Sequence, residues 1–331
     1  MLLLSTRRIR STASVTTVLM LAGAVGLARA QAPGAQTPNA QAPDAQQRDA
    51  QAPDAQPPRK EKADRPSQEA VLAANSVLEA GIAFGEDELQ RLDVYAPRGA
   101  KNAPMVVFVH GGEWTRGDKA NVSFKPKLFN ENGIVFVSTN YRLTPPASHP
   151  AHVDDVAAAI GWMHEHAGRF GGDPKKIVVM GHSAGCHLAT LVALDPRYLA
   201  KVGLRPTDLS GVVAWSGGSY DLVQKVNDGG AYADYIKKTF GPEEAAWRDA
   251  SPVAHFSDVK AGPPFLFASV EPGKPSQLAA DRLASLIRDA GGKASTKILP
   301  DRDHFGANHF LGAPDDTTGA IFLEFVNDVT K

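Results

Sequence analysis

The chain has 331 residues, 35 basic and 36 acidic side chains, a formal net charge of −1 and a single cysteine, Cys186. So even a charge balance argues against a polyanion-binding surface and hence against nucleic acid as a partner. One cysteine excludes an internal disulfide framework, and on a small-residue helix Cys186 reads as a buried small hydrophobe.

The first 30 residues carry Arg7, Arg8 and Arg10, an apolar run over 13–27 and the small-x-small triplet Ala28-Arg29-Ala30. This is the pattern of a signal peptide cleaved before Gln31, which leaves no stable membrane span and predicts an exported protein, periplasmic or secreted. Residues 31–66 open with three decapeptides, QAPGAQTPNA, QAPDAQQRDA and QAPDAQPPRK, almost without bulky apolar side chains. They cannot offset the entropy of ordering with a core and read as a disordered linker. Residues 67–331 are long enough for one large domain.

Within that domain apolar runs alternate with helical patterns, as a mostly parallel sheet covered on both faces requires. Residues 89–95 alternate and predict an early, half-exposed strand; runs at 105–109, 134–138, 177–180, 212–215 and 265–268 predict buried strands, and 294–299 a last one. Helices are predicted over 153–166, 184–194, 277–289 and 318–329. Between 217 and 256 the pattern breaks into an aromatic-bearing insertion with Tyr220, Tyr232, Tyr235, Phe240 and Trp247. No metal-ligand cluster stands out: His164 and His166, two apart on a predicted helix, face different sides.

Two of the strands run into chemistry. The strand at 105–109 leads into His110-Gly111-Gly112-Glu113-Trp114, and that at 177–180 leads into Gly181-His182-Ser183-Ala184-Gly185. Strand, G-x-S-x-G and helix form a nucleophile elbow, whose sharp turn exposes the serine hydroxyl. A tetrahedral acyl-transfer intermediate carries charge on its former carbonyl oxygen, and backbone N–H groups preorganised around that oxygen stabilise it. The N–H groups of Gly111 and Gly112, with that of Ala184 at a helix N-terminus, are the candidates for this oxyanion hole.

These segments, together with Asn140-Tyr-Arg-Leu143, His149-Pro150, Asp155-Val156 and Gly171-Gly-Asp-Pro174, resemble the α/β-hydrolase esterases with an HGGxW oxyanion loop. That group holds bacterial carboxylesterases, feruloyl-esterase-like and kynurenine formamidase-like enzymes. The resemblance implies the α/β-hydrolase fold: a mostly parallel central sheet with helices on both faces and a small cap supplied by the 217–256 insertion.

It also implies a base late in the chain. Asp303-His304-Phe305-Gly306 is similar to the family's catalytic histidine segment, which selects His304, with His309 as its neighbour and competitor. The third triad member is a carboxylate after a late strand, and Glu271, the first carboxylate after 265–268, fits that place; Asp281, Asp301 and Asp303 compete. Relatives commonly carry Asp here. Glu113 and Trp114 are candidate pocket residues, Glu113 alternatively a brace of its loop and Trp114 a core aromatic. Arg142 with Asp154 or Asp155 reads as a structural ion pair. His110 reads as a brace of the oxyanion loop, and His182, adjacent to the nucleophile, as pointing away from the reaction centre.

The chemistry expected is cofactor-free ester hydrolysis through an acyl-enzyme on Ser183, with a small-molecule ester or amide as substrate. Two alternatives remain: an aryl formamidase using the same triad on an N-formyl amide, and a non-catalytic binding module on the same fold.

Overall fold

The computed structural model describes residues 72–256, 259–270, 272–300 and 302–331. The signal-peptide and linker segments lie outside the described residues, as do Glu271 and Asp301. Among the described residues, eight strands form one sheet: β1 (Ser76–Ala83), β2 (Arg91–Pro97), β3 (Ala103–Val109), β4 (Val135–Thr139), β5 (Gly172–His182), β6 (Gly211–Trp215), β7 (Phe265–Ser269) and β8 (Ala294–Ile298). Their order is β1-β2-β4-β3-β5-β6-β7-β8. β1 and β2 join antiparallel, and every pairing from β4 onward is parallel.

Among the described residues, ten α-helices connect and cover the strands: α1 (Lys125–Glu131), α2 (Ala151–His166), α3 (Ala184–Leu194), α4 (Pro196–Ala200), α5 (Leu222–Asn227), α6 (Gly230–Phe240), α7 (Glu244–Asp249), α8 (Pro275–Asp289), α9 (His304–His309) and α10 (Gly319–Val329). Side-chain alternation in the strands splits the core in two. Val107, Val179, Val212 and Phe267 pack with Ile160 of α2, Leu188 of α3 and Leu283 of α8. Val106, Val178, Val213 and Leu266 pack on the other face with Phe129 of α1 and Phe322 of α10.

The predicted early strand differs from expectation in burial. β2 is not half-exposed: Leu92 through Ala96 are all buried, because Leu92, Val94 and Ala96 pack into the core on one face of the sheet and Tyr95 into that on the other. Asp93 is 0 % exposed, and its carboxylate accepts from Gly81 N at 2.7 Å and pairs with Lys119 Nζ at 2.9 Å.

The insertion after β6 forms α5, α6 and α7. It is rooted by Phe240, whose ring lies 5.0 Å from Trp114 and 5.7 Å from His187 between centroids, and 6.3 Å from His152. Asp249 at the end of α7 closes the root, accepting from His149 Nε2 at 2.9 Å and Arg197 Nη2 at 2.7 Å. Burial holds His187 at a pKa of about 3 and His152 at about 4, so both are neutral in the folded protein. Their folded pKa values lie below the unfolded value of about 6.5, so below that pH the unfolded chain binds the extra protons. Stability is therefore full above about pH 6.5 and falls, by about 1.4 kcal/mol per pH unit for each histidine, as pH drops toward 4. Urea melts at pH 7.5, 6.0 and 5.0 should show the midpoint falling; a flat midpoint would contradict it.

Of the two acids offered for an ion pair with Arg142, Asp155 makes it and Asp154 pairs with Lys201. The Asp155 carboxylate, 1 % exposed, accepts from Arg142 Nε, Nη2 and backbone N at 2.7–3.1 Å, and from Gln90 Nε2 at 2.7 Å. It ties the start of α2 to the loop after β4 and the approach to β2. Asp155→Asn keeps the shape but strips this arginine of its counter-charge, which should cost about 2–4 kcal/mol and several degrees in Tm. A Tm within one degree of wild type would show that solvent around Arg142 compensates.

Candidate active site

The strand order reverses around β3: β4 follows it in sequence and lies on one side, β5 on the other. The crevice at the carboxyl ends of such strands is where doubly wound sheets bind ligands. Here it receives the loop after β3, residues 110–117, and the turn from β5 to α3. Ser183 occupies that turn with φ 56° and ψ −118°, a left-handed backbone that costs energy and is held by its surroundings. Its N–H donates to Trp215 O at 3.2 Å, and its carbonyl accepts from Cys186 N at 3.0 Å. Gly185 lies so close to β3 that a Cβ there would stand 2.0 Å from Val109 O, which no larger residue tolerates.

The glycine loop presses on the same turn. A Cβ on Gly111 would come within 2.9 Å of Ser183 Cβ, and Gly112, at φ 118°, would drive one to 2.0 Å from Arg116 O. The loop is then braced from several sides. Thr115 N and Arg116 N donate to Gly112 O, Tyr141 OH donates to His110 O at 3.2 Å, and the His110 ring stacks on Tyr141 at 4.5 Å. His110 donates Nδ1–H to Gly111 O at 2.7 Å; burial lowers its pKa and keeps it neutral. Glu113 forms an ion pair with Arg116 at 2.6 Å within the loop, and its carbonyl accepts from Tyr235 OH of α6.

Trp114 combines both readings offered for it. It is 1 % exposed and packs in the core, yet it also walls a cavity beside Ser183. Its indole N–H donates to His187 Nδ1 at 3.2 Å, while His187 Nε2–H donates to Ala250 O at 2.7 Å, which fixes the imidazole tautomer. Cys186 is buried against Tyr220 OH at 2.8 Å with its thiol pushed up to about 12, so it stays protonated.

Two cavities meet at Ser183, and Ser183 and His304 line both. One, about 260 Å³, runs past Gly111, Gly112, Arg116, Asn121, Phe305 and Asn308. The other, about 250 Å³, is bounded by Trp114, Ala184, Ser216, Gly217, Gly218, Ser219, Tyr232 and Ser276. Glu113 lines both. No local signal marks Asn121, Asn308 or Tyr232 as wall residues, because they arrive from three separate parts of the chain. The Gly217-Gly218 pair directly after β6 was a readable sign of close approach.

His304 opens α9. His309, at the other end of that helix, faces Ser123 Oγ at 3.5 Å and lines neither cavity. Among the candidate acids, Asp303 is the N-cap of α9, accepting from Gly306 N at 2.6 Å, and Asp281 accepts from Gln277 Nε2 one helical turn away at 2.9 Å. His182 does not point away from the centre, as expected from its place beside Ser183. Its ring lines the first cavity, 4.7 Å from the His304 ring, and its Nε2 contacts His304 O at 2.9 Å.

The comparisons with known proteins agree with this architecture. Esterase LipC of Mycobacterium tuberculosis (strain ATCC 25618 / H37Rv) is 30 % identical over 267 residues, 76 % of this chain and 65 % of its own. A probable isoprenylcysteine alpha-carbonyl methylesterase, ICME, of Oryza sativa subsp. japonica is 36 % identical over 115 residues, 34 % of this chain and 28 % of its own. The chain thus spans less than two thirds of the length of these curated relatives. Among solved structures, a truncated carbohydrate esterase from gut microbiota superposes with a TM-score of 0.65 at 21 % identity, over 78 % of this chain and 99 % of that one. A bacterial heroin esterase superposes at 0.63 and 21 %, over 78 % and 86 %. At that identity the likeness speaks for the α/β-hydrolase fold. The BD-FAE family profile matches residues 92–271, more than half of the sequence, from within β2 to the end of β7 with both the glycine loop and the elbow, so the chain belongs to the BD-FAE family.

Proposed function

We propose that this chain is a serine hydrolase of carboxylic esters, exported from the cell that makes it. The observation that carries the reading is Ser183 on its strained turn at the junction of two cavities, with His304 on the wall of both. A serine hydroxyl is a weak nucleophile until a base takes its proton, and His304 is the base. Ser183 Oγ attacks the ester carbonyl, and the oxyanion sits against the N–H groups of Gly111, Gly112 and Ala184. His304 returns the proton to the departing alcohol, then activates water to release the acid.

Glu271 is the orienting acid of this proposal. Supporting it, β7 and β8 pair in register to Ser269 and Ile298, and Leu299 N donates to Ser269 O at 2.8 Å. The segments leading to Glu271 and to His304 therefore leave the sheet side by side. Asp303 and Asp281 already serve the local helix contacts described above.

The names of the curated relatives favour esters over formamides, since LipC and ICME are both named as esterases. Export rests on the basic, apolar and small-residue pattern of residues 1–30. Purified protein should hydrolyse 4-nitrophenyl acetate and butyrate faster, by kcat/KM, than an N-formyl-aryl amine of matched leaving group. A preference for the formamide would transfer the site to the alternative reaction, and turnover of neither would leave the binding module.

A further inference from the structure

His182 sits where a general prohibition would place a spectator: next to the nucleophile, on the last residue of β5. Its backbone pairs with Trp215 of β6, so its Cα is fixed by the sheet. Its ring is buried, lying 5.3 Å from the Trp215 ring and 4.7 Å from that of His304. The Nε2···O contact with the His304 carbonyl is 2.9 Å. A carbonyl only accepts, so Nε2 carries the proton and donates.

The far end of the same short helix is held in a similar way. Lys125, 0 % exposed at the start of α1, donates from Nζ to Asn308 O at 2.6 Å and to Val122 O at 3.1 Å. α9 has six residues, too few to hold itself rigid by its own hydrogen bonds. The residue assigned as base therefore rides on an element whose position is set by side chains reaching in from the sheet and from α1.

We propose that His182 is a positioning residue for His304, its neutral imidazole fixing the base by donating Nε2–H to the His304 carbonyl. This rests on the reading of His304 as the base. The elbow then places both partners, carrying the nucleophile in Ser183 and the strut for its base in His182. A hydrogen bond to backbone, unlike one to the reacting ring, restricts where the imidazole stands without consuming either of its nitrogens. Misplacement by about 1 Å is worth up to a hundredfold in rate.

The test compares His182→Met, which fills the volume without a donor, with His182→Gln, whose amide N–H reaches the same carbonyl. Against an aryl acetate, Met should lower kcat by about tenfold to a hundredfold with KM within about twofold of wild type, and Gln should restore most of the loss. The inference is overturned if Met keeps kcat within twofold, if the loss falls in KM, or if Gln is no better than Met. Ser183→Ala assayed beside them separates the two readings, since hydrolysis surviving there would sink the nucleophile whatever His182 does. Should the Met variant not fold, histidine-selective nitrogen NMR of the wild-type protein at about pH 7.5 decides: His182 should be neutral with its proton on Nε2, and a proton on Nδ1 alone contradicts the role.

Discussion

Ser183→Ala should lower kcat on aryl esters by about four or more orders of magnitude while leaving the melting temperature within about two degrees of wild type. The two halves of this expectation have separate causes. Ser183 Oγ is assigned the bond-making step, and no other hydroxyl in the cavities shares its position between the glycine loop and His304. Stability should hold because serine and alanine meet the same cost at φ 56°, a strain carried by the backbone of the turn rather than by the hydroxyl. The side chain is also half-buried at the meeting of two cavities, so its loss opens no closed void. More than about a tenth of the activity surviving would remove the acyl-enzyme from the mechanism.

Glu271→Gln should lower kcat by about two to four orders of magnitude with KM nearly unchanged. An imidazole serving serine must present its unprotonated nitrogen to the hydroxyl and bear positive charge in the transition state, and a carboxylate on its other nitrogen secures both. Gln keeps the length and loses the charge. Asp303→Asn provides the contrast: this carboxylate caps α9, and an asparagine oxygen caps a helix nearly as well, so kcat should change by less than about tenfold. If Asp303→Asn collapses kcat while Glu271→Gln stays near wild type, the acid has been misassigned, and the assignments of Ser183 and the glycine loop stand on their own motifs.

The parts of this molecule that were legible in the sequence are those whose signal is local. Short apolar runs bounded by turns marked β4, β6 and β7, because strands buried on both faces have no polar alternation to hide them. The elbow and glycine loop were legible for a related reason: close backbone approach demands glycine at fixed spacings. β2 misled because its polar positions imply solvent, whereas Asp93 is paid for by Lys119 and Gly81, partners that no local window contains. β1 went unread since its residues alternate only loosely and most are partly or fully exposed. His182 was misjudged by treating direction as a property of the chain alone. Its ring turns toward His304 because the carbonyl of that residue, 122 residues later, is the acceptor it meets.

Whether Ser183 forms a covalent acyl intermediate is decided by a fluorophosphonate. Such a reagent phosphonylates only a serine activated by its base and leaves an adduct that does not turn over. The wild-type protein should gain one adduct per chain, located by peptide mass spectrometry on the segment Gly181-His182-Ser183-Ala184-Gly185, with ester hydrolysis lost in proportion. Ser183→Ala should remain unlabelled. Labelling at another residue, or full hydrolysis by a protein already carrying the adduct on Ser183, would contradict the account.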